Sequence, residues 1–430
     1  MLERSAKRPC RGGLPLCLLS AALVCLAQVL GSRPLLLTSL LLFLALQLGL
    51  ARRGRGLAGL LFFLPWAKLL KLAPGGHTFF TYALLLAGAV CFLRDGGFLQ
   101  ARYGLPALLL LVWTLLAKIV RGFAVDFSYL AFFCLLFLFP SVAAEKCGFG
   151  ELTAYFAFGV ISAALSARAL AGHDGIAQYI GTTAYGEVLR SSGFYGDPNF
   201  YAAQISASFA GALVCLRRAR GGQAAALLAL LVLLLYCGLQ SASKTFALTI
   251  AVALALWLGT VFLGRFWQPG RVFSGALLAG AMLLGALLFR EVWIALAARF
   301  TLARDAATLT TGRTARWWDY FLTIFSDPGL LLLGQGLTNL NLHGWGAHST
   351  PLQALYQFGL PGSVLLCGWL GSLFDGVCGG RRVRRPTEAL VILVGAFLPW
   401  LALDMLLFDD FFLVAAYAFC GASACGADFL

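Results

Sequence analysis

Four basic side chains stand in short polar stretches between long apolar segments: Arg190, Lys244, Arg313 and His348. An arginine guanidinium binds phosphate oxygens through paired hydrogen bonds, and a lysine adds a compact positive charge. Histidine is the one side chain here whose ordinary pKa suits it to act as a general base at neutral pH. These residue types therefore predict a site that holds an anionic group beside a base.

Arg313 lies near the start of a predicted amphipathic helix, TTGRTARWWDYFLTIF. Thr310 or Thr311 is the expected N-cap, and Asp327-Pro328 should end the segment. An arginine in the first turn opposes the helix dipole, and a bound anion would relieve that cost. The alternative is an arginine that snorkels to a membrane interface. The apolar stripe of the helix comprises Trp317, Tyr320, Phe321 and Ile324, at i, i+3, i+4 and i+7.

Arg190 begins the stretch RSSGFYGDPNFYA. Its glycines permit tight turns, Asp197-Pro198 fixes a bend, and Asn199 is expected to cap the helix that follows. Glu187 stands three residues before Arg190, so a surface ion pair is the alternative role for this arginine.

Lys244 lies in the turn QSASKT with Ser241, Ser243 and Thr245 around it. Hydroxyl groups beside a cation can hold phosphate oxygens, so Lys244 and Ser243 are candidate binding residues. A lysine that only anchors the chain at a membrane interface is the alternative.

His348 precedes an apolar helix and follows Gly344 and Gly346. A single histidine at a helix entrance is often structural, and this alternative stays open beside the role of a base. Asp404, Asp409 and Asp410 form the nearest approach to a carboxylate cluster. Since Asp409 and Asp410 would point about 100° apart on a helix, we expect interfacial or structural roles for them and no metal.

The composition decides the class of protein. Of the 430 residues, 60% are hydrophobic and 12% are charged, and the mean hydropathy is +0.86. No soluble globule has enough interior for that apolar content. The net charge of +14 comes largely from basic runs between apolar segments, a positive-inside pattern that argues against nucleic-acid binding.

Fourteen apolar runs predict an all-α polytopic membrane protein with about 12–14 transmembrane helices and a cytoplasmic N-terminus. The chain divides into N-terminal helices (1–171), a central part (172–376) with two long outer loops (172–198 and 291–350), and C-terminal helices (377–430). The predicted spans are 14–31, 35–50, 57–72, 79–93, 104–120, 127–144, 152–171, 199–216, 223–240, 245–263, 272–290, 351–375, 388–403 and 406–424. The four candidate residues then share the outer side.

Four stretches in this order resemble the O-antigen ligase and O-antigen polymerase superfamily. They are RSSGFYGDPNFYA, SASKTFA, TGRTARWWDYF followed by LLLLGQG, and AHSTPLQALYQFGLPG. The resemblance covers roughly residues 185–365, and the first 180 residues match only as generic membrane helices. Lys244 departs from the arginine that is commoner in the family, and Ser349 and Pro351 also differ from many relatives.

The resemblance implies an inverting, metal-independent glycosyltransferase of the GT-C type, without a cofactor, at the outer face of a bacterial inner membrane. Its donor would be a glycan on undecaprenyl diphosphate, and its acceptor a lipid- or glycan-linked sugar hydroxyl. By the same resemblance, Arg190 and Arg313 hold the diphosphate and His348 activates or orients the acceptor. Lys244, Asn199, Trp317 and Ser243 complete the candidate binding residues.

Two other functions remain open at this stage. A lipid-linked oligosaccharide flippase would need ionisable residues deep in the spans, and Arg168 is the residue it would use best. If the protein were a scaffold, nothing would require Arg190, Arg313 and His348 to lie on the same side of the membrane. Within the enzyme class, the sequence does not separate a ligase from a polymerase, nor does it identify the acceptor or the sugar.

Overall fold

The computed structural model describes residues 12–73, 75–95, 100–122, 127–145, 147–180, 182–185, 188–262, 280, 290–301, 310, 312–336, 342, 346–379, 383–406 and 408–425. Nearly all of this chain is helical, and one two-stranded antiparallel hairpin is present, β1 (Thr182–Tyr185) and β2 (Val188–Ser191). The first helices are α1 (Gly13–Val29), α2 (Arg33–Arg52), α3 (Gly56–Phe63), α4 (Phe79–Arg94), α5 (Ala101–Arg121), α6 (Phe127–Ala143), α7 (Phe149–Ala169) and α8 (Asp174–Ala177). The later helices are α9 (Pro198–Leu216), α10 (Gly222–Gln240), α11 (Lys244–Phe262), α12 (Arg290–Thr301), α13 (Arg313–Ser326), α14 (Pro328–Leu333), α15 (Thr350–Cys378), α16 (Pro386–Phe397) and α17 (Asp409–Ala424).

Thirteen of the fourteen predicted spans coincide with a described helix. The remaining one, 272–290, lies outside the described residues apart from Gly280 and Arg290. Six helices (α2, α5, α7, α9, α10 and α15) are long and apolar enough to cross a membrane, and six shorter apolar helices accompany them. The architecture is that of an all-α polytopic membrane protein.

Helix α9 is the centre of the bundle. An 18-residue stretch of it is 89% buried, and it packs against α7, α10, α11, α16 and α17. Small residues such as Ala207, Gly211 and Ala212 line it, which allows the neighbouring helices to approach closely. Because α9 is held on several sides, residues at its N-terminus have fixed positions. We call the end of the bundle where α9 begins the site end.

Buried carboxylates bind arginines at the opposite end. Glu388 of α16 is fully buried and forms ion pairs with Arg217 and Arg218, which follow α9. Glu145 accepts hydrogen bonds from the backbone N–H of Leu57 and from Arg94. Some of the arginines at this end therefore have a structural role, because they neutralise buried glutamates that link neighbouring helices. Six other basic residues of the segments predicted to be cytoplasmic lie outside the described residues: Arg4, Lys7, Arg8, Arg11, Arg381 and Arg382.

The segment after α14 docks against a break in α15. The backbone N–H groups of Gln335 and Gly336 donate to the carbonyls of Tyr356 and Gln357, both at 2.8 Å. Gly334 and Gly359 meet at this contact, and both have positive φ values, 70° and 65°. A Cβ on either glycine would overlap the facing backbone. This close approach fixes the first half of α15, at whose start His348 lies.

Candidate functional site

Arg190 is buried at the end of the hairpin and contacts two other polar stretches. Its Nε donates to the carbonyl oxygen of Ser241 at 2.9 Å, and its Nη2 donates to Oδ1 of Asn199 at 2.9 Å. The hydroxyl of Ser243 donates to the same Asn199 oxygen at 3.0 Å. The structure thus brings together three of the predicted site residues: Arg190, Asn199 and Ser243.

The predicted role of Asn199 as a helix cap is wrong. Asp197 is the N-cap of α9, and its Oδ1 accepts from the backbone N–H of Asn199 at 2.6 Å and of Phe200 at 3.4 Å. The reason is that Pro198 occupies the first helical position, so the capping residue stands one place before it. The amide of Asn199 is thereby left to orient Arg190 and Ser243. The alternative partner of Arg190, Glu187, lies outside the described residues.

Arg313 is the first residue of α13, and it contacts the start of α11. Its Nη1 donates to the hydroxyl of Thr245 at 3.2 Å. The predicted threonine N-cap is wrong, because Gly312 takes that position with a φ of 78°. Thr310 instead accepts a hydrogen bond from the backbone N–H of Thr314, and Thr311 lies outside the described residues. The predicted end of the helix at Asp327-Pro328 is confirmed.

Both arginines therefore touch the segment that joins α10 to α11. Arg190 contacts it at Ser241 and Arg313 contacts it at Thr245. Four residues of chain span at most about 14 Å, so the two contacts are close. Lys244 lies between them at the start of α11, and its Nζ is 5.6 Å from the centre of the Phe300 ring. Three cations from three separate parts of the sequence thus meet near one turn.

His348 is fixed by hydrogen bonds to its backbone. Its N–H donates to Oδ2 of Asp404 at 3.0 Å, and the N–H of Ser349 donates to Oδ1 at 3.1 Å. The indole N–H of Trp317 donates to the His348 carbonyl at 3.2 Å. His348 has a φ of 48°, a conformation that residues other than glycine rarely adopt. These contacts hold a strained backbone in place, and none of them involves the imidazole ring.

Trp317 contacts His348 through its indole N–H, and its role as a substrate-binding residue stays a prediction. The apolar stripe of α13 also differs from the prediction. Tyr320 and Ile324 are buried, whereas Phe321 is exposed and stacks against Trp318 at 5.7 Å between ring centres. The difference arises because a second apolar stripe, Trp318, Phe321, Leu322 and Phe325, runs beside the buried one, so the periodicity did not identify which stripe faces inward.

Several charges surround His348. Burial lowers the pKa of this imidazole below its ordinary value of 6.5, Asp404 raises it, and Arg313 and Arg316 lower it further. Asp197, the N-cap of α9, also acts on this pKa by raising it. A histidine with a lowered pKa is neutral at neutral pH and accepts a proton. Trp317 lies one helical turn after Arg313 on α13, so its hydrogen bond to the His348 carbonyl places His348 beside the first turns of that helix.

Asp404 is the functional residue whose role sequence reasoning missed. The sequence grouped it with Asp409 and Asp410 as a weak metal candidate, yet its carboxylate holds the His348 backbone. Asp409 accepts from Thr81, and Asp410 accepts from Tyr195 and Gln204. Among the described residues, no group of three or more His, Cys, Asp or Glu side chains is placed to hold a metal ion. Gly346 was the available signal, because a Cβ there would overlap the Asp404 carboxylate.

Arg168, the residue that a flippase would use, contacts the phenol oxygen of Tyr236 on α10, and its guanidinium lies 5.9 Å from the Tyr236 ring centre. Tyr236 lies in the last turns of α10, so this pair also stands toward the site end. The contact assigns Arg168 a packing role between α7 and α10.

No family model, curated protein or solved structure matches the chain.

Proposed function

We propose that the chain is a membrane glycosyltransferase that moves a glycan from an undecaprenyl-diphosphate carrier onto a sugar hydroxyl at the outer face of the cytoplasmic membrane. The observation that supports this proposal is that Arg190, Arg313 and His348 lie at one end of the bundle, joined through the turn between α10 and α11 and through Trp317 of α13. Arg190 comes from the hairpin, Arg313 from the start of α13, and His348 from the segment before α15. Two guanidinium groups and a neutral imidazole are the groups that this reaction requires.

The two arginines hold the diphosphate of the donor. When the bond between the sugar and the diphosphate breaks, the leaving group takes the electron pair and its negative charge grows. Cations already fixed in position stabilise that charge without reorganisation. Asn199 and Ser241 keep the Arg190 guanidinium in one orientation, and Thr245 does so for Arg313. Lys244 adds positive potential at the same turn.

His348 receives the proton of the acceptor. The acceptor oxygen attacks the anomeric carbon on the face opposite the diphosphate, a new C–O bond forms, and the hydroxyl proton passes to the imidazole. General-base help of this kind is worth about 10²- to 10⁴-fold in rate. The result is inversion at the anomeric carbon, with no step that needs a metal ion. Asp404 and Trp317 act on the reaction through His348: both fix its backbone, and Asp404 also raises the pKa of its imidazole.

A polymerase of the same chemistry would use a second lipid-linked glycan as acceptor. Reconstitution tests the function and separates these cases. Purified protein in EDTA is incubated with an undecaprenyl-diphosphate glycan alone, with lipid A core, or with an alkyl disaccharide, and product length is followed. A single addition to an added acceptor indicates a ligase, and a ladder from the donor alone indicates a polymerase. No transfer in any mixture, or transfer only with a divalent ion, contradicts the proposal.

A further inference from the structure

A separate cavity of about 300 Å³ lies at the site end and takes no part in the chemistry above. It is bordered by α4, α6, α17 and the segment that follows α3. Its wall is apolar and aromatic on one side, with Phe127, Phe132 and Phe412 among the lining residues. Its polar lining includes Lys68, Lys71, His77, Thr81, Asp409 and Asp410.

The two carboxylates of the cavity have different surroundings. Asp410 is buried and accepts from the Tyr195 hydroxyl at 2.6 Å and from Nε2 of Gln204 at 2.8 Å, so it is an anchor between α9 and α17. Asp409 accepts one hydrogen bond, from Thr81 at 2.9 Å. A carboxylate has room for about four hydrogen bonds, so Asp409 keeps acceptor capacity toward the cavity.

Lys68 provides donors beside it. Its Nζ lies 5.3 Å from the centre of the Tyr195 ring and passes over Gly196, where a Cβ would come within 3.0 Å of it. Throughout the part of the chain that the structure describes, Lys68 forms no ion pair with a carboxylate. A half-buried ammonium group without a direct ion pair keeps hydrogen-bond donors that a polar ligand can use.

The cavity adjoins the arginine cluster. Gly196 contacts Lys68, and Asn199, three residues further on, holds Arg190. Three residues of chain span at most about 11 Å. Asp197, between them, acts electrostatically on both Lys68 and His348. A ligand in the cavity therefore lies within one sugar unit or two of the groups assigned to the reaction.

The lining chemistry favours one class of ligand. A sugar ring offers hydroxyls that both donate and accept hydrogen bonds, and a C–H face that packs on aromatic rings. Lysine donors, a carboxylate acceptor and a phenylalanine wall match all three features. An acyl chain would leave the charged groups without partners. Two lysines and two aspartates give the lining no formal net charge, which favours a neutral polar ligand over a phosphate or a metal ion.

We propose that this cavity binds the terminal saccharide of the acceptor, with Lys68 and Asp409 as the specificity-determining residues. The inference rests on the proposed function and extends it, because it separates an acceptor site from the donor site at Arg190 and Arg313. A volume of about 300 Å³ is at the small end of ligand pockets. The cavity therefore holds the end of the acceptor and leaves the rest of the acceptor molecule outside.

The test uses the reconstituted transfer reaction with three variants and a matched control. Asp409→Asn and Lys68→Met remove the two polar contacts, and Ala131→Trp fills the cavity from α6, where Ala131 lines the wall. The control is Ala154→Trp, which fills the other cavity, between α7, α9 and α10. Folding of each variant is checked by size-exclusion chromatography and thermal unfolding in detergent. Donor binding is measured separately, as the rise in unfolding temperature on adding undecaprenyl diphosphate.

We expect Asp409→Asn and Lys68→Met each to raise the KM for the acceptor about 10- to 100-fold, which is the effect of losing a hydrogen bond to a charged group. Ala131→Trp should also raise this KM, because the indole occupies the space of the saccharide. The response to undecaprenyl diphosphate should stay unchanged, and Ala154→Trp should change neither quantity. An unchanged acceptor KM in folded Asp409→Asn and Lys68→Met overturns the inference while leaving the transferase intact. A lost response to undecaprenyl diphosphate also overturns it, because the cavity would then belong to the donor. Absence of transfer by the wild-type protein overturns the proposed function, and the inference with it.

Discussion

The carboxylate of Asp404 accepts the backbone N–H groups of both His348 and Ser349, at 3.0 and 3.1 Å. It thus holds His348 in a left-handed backbone conformation, with a φ of 48°, which costs a residue with a side chain about 1–2 kcal/mol. Strain kept in place by surrounding contacts is common at functional sites. Here it fixes the backbone of the candidate base at the entrance to α15.

The first prediction concerns the pH dependence of transfer. Because His348 has to be neutral to accept a proton, activity falls as the pH falls through its pKa. Burial places that pKa below 6.5, so the acid limb of the rate profile should have its midpoint below pH 6.5. Asp404→Asn removes a charge that raises this pKa and should move the limb to lower pH. Arg316→Gln removes a charge that lowers it and should move the limb to higher pH.

Rates measured from pH 4.5 to 8 for the three proteins check these directions. Shifts of opposite sign are a result that loss of structure alone does not produce. If the acid limb stays in one place in both variants, His348 is not the group that titrates.

A second prediction concerns the geometry of Arg313. Arg313→Lys keeps the charge but loses the planar pair of donors that binds two phosphate oxygens. We expect transfer to fall about 10- to 100-fold, the cost of one hydrogen bond to a charged group. Arg220→Lys, at an exposed position at the opposite end, is the matched control and should retain full activity. Equal activity in both variants would show that only the charge at Arg313 matters.

A third prediction concerns the contact that fixes the start of α15. Gly334→Ala places a Cβ against the backbone of Gly359 and Gln357 at a φ of 70°. Gly221→Ala has the same conformational problem, with a φ of 53°, but nothing lies within 4 Å of its Cβ. We expect Gly221→Ala to cost about 1–2 kcal/mol in the free energy of unfolding and Gly334→Ala to cost more. Only Gly334→Ala should slow transfer. Steady-state transfer rates, normalised to the amount of folded protein, will test this difference.

A fourth prediction concerns the side of the membrane on which the site lies. Asp174 and Arg220 are both exposed, on opposite sides in the predicted topology. With Asp174→Cys, a membrane-impermeant maleimide should label intact spheroplasts. With Arg220→Cys, labelling should require permeabilised membranes. The reverse pattern would place the arginines and His348 on the cytoplasmic side.

Much of the helical architecture could be predicted from the sequence, because long apolar runs separated by basic turns are compatible with few folds other than membrane-spanning helices. The spans on either side of Arg217 and of Lys244 illustrate this, since their helices end within a few residues of the predicted limits. The hairpin that carries Arg190 was not predicted. Its strands are four residues long, too short for the alternation of polar and apolar residues to be recognised.

The candidate site residues could be found by residue type, but their contacts could not. Asn199 was expected to cap α9 and instead accepts hydrogen bonds from Arg190 and Ser243, because a contact depends on which neighbour a side chain meets. Asp404 is 56 residues from His348 in the sequence, and nothing local connects the two. The contact between Asp404 and His348 can be recognised only once the packing of α15 against the turn before α17 is known.

The most direct test of the central claim measures transfer and donor binding in parallel for the wild-type protein, His348→Ala and Arg313→Ala, all in EDTA. The account predicts that His348→Ala loses about 10²- to 10⁴-fold in rate while still binding undecaprenyl diphosphate. It predicts that Arg313→Ala loses both rate and binding. Wild-type rates in a folded His348→Ala protein, or unchanged diphosphate binding in Arg313→Ala, would contradict it.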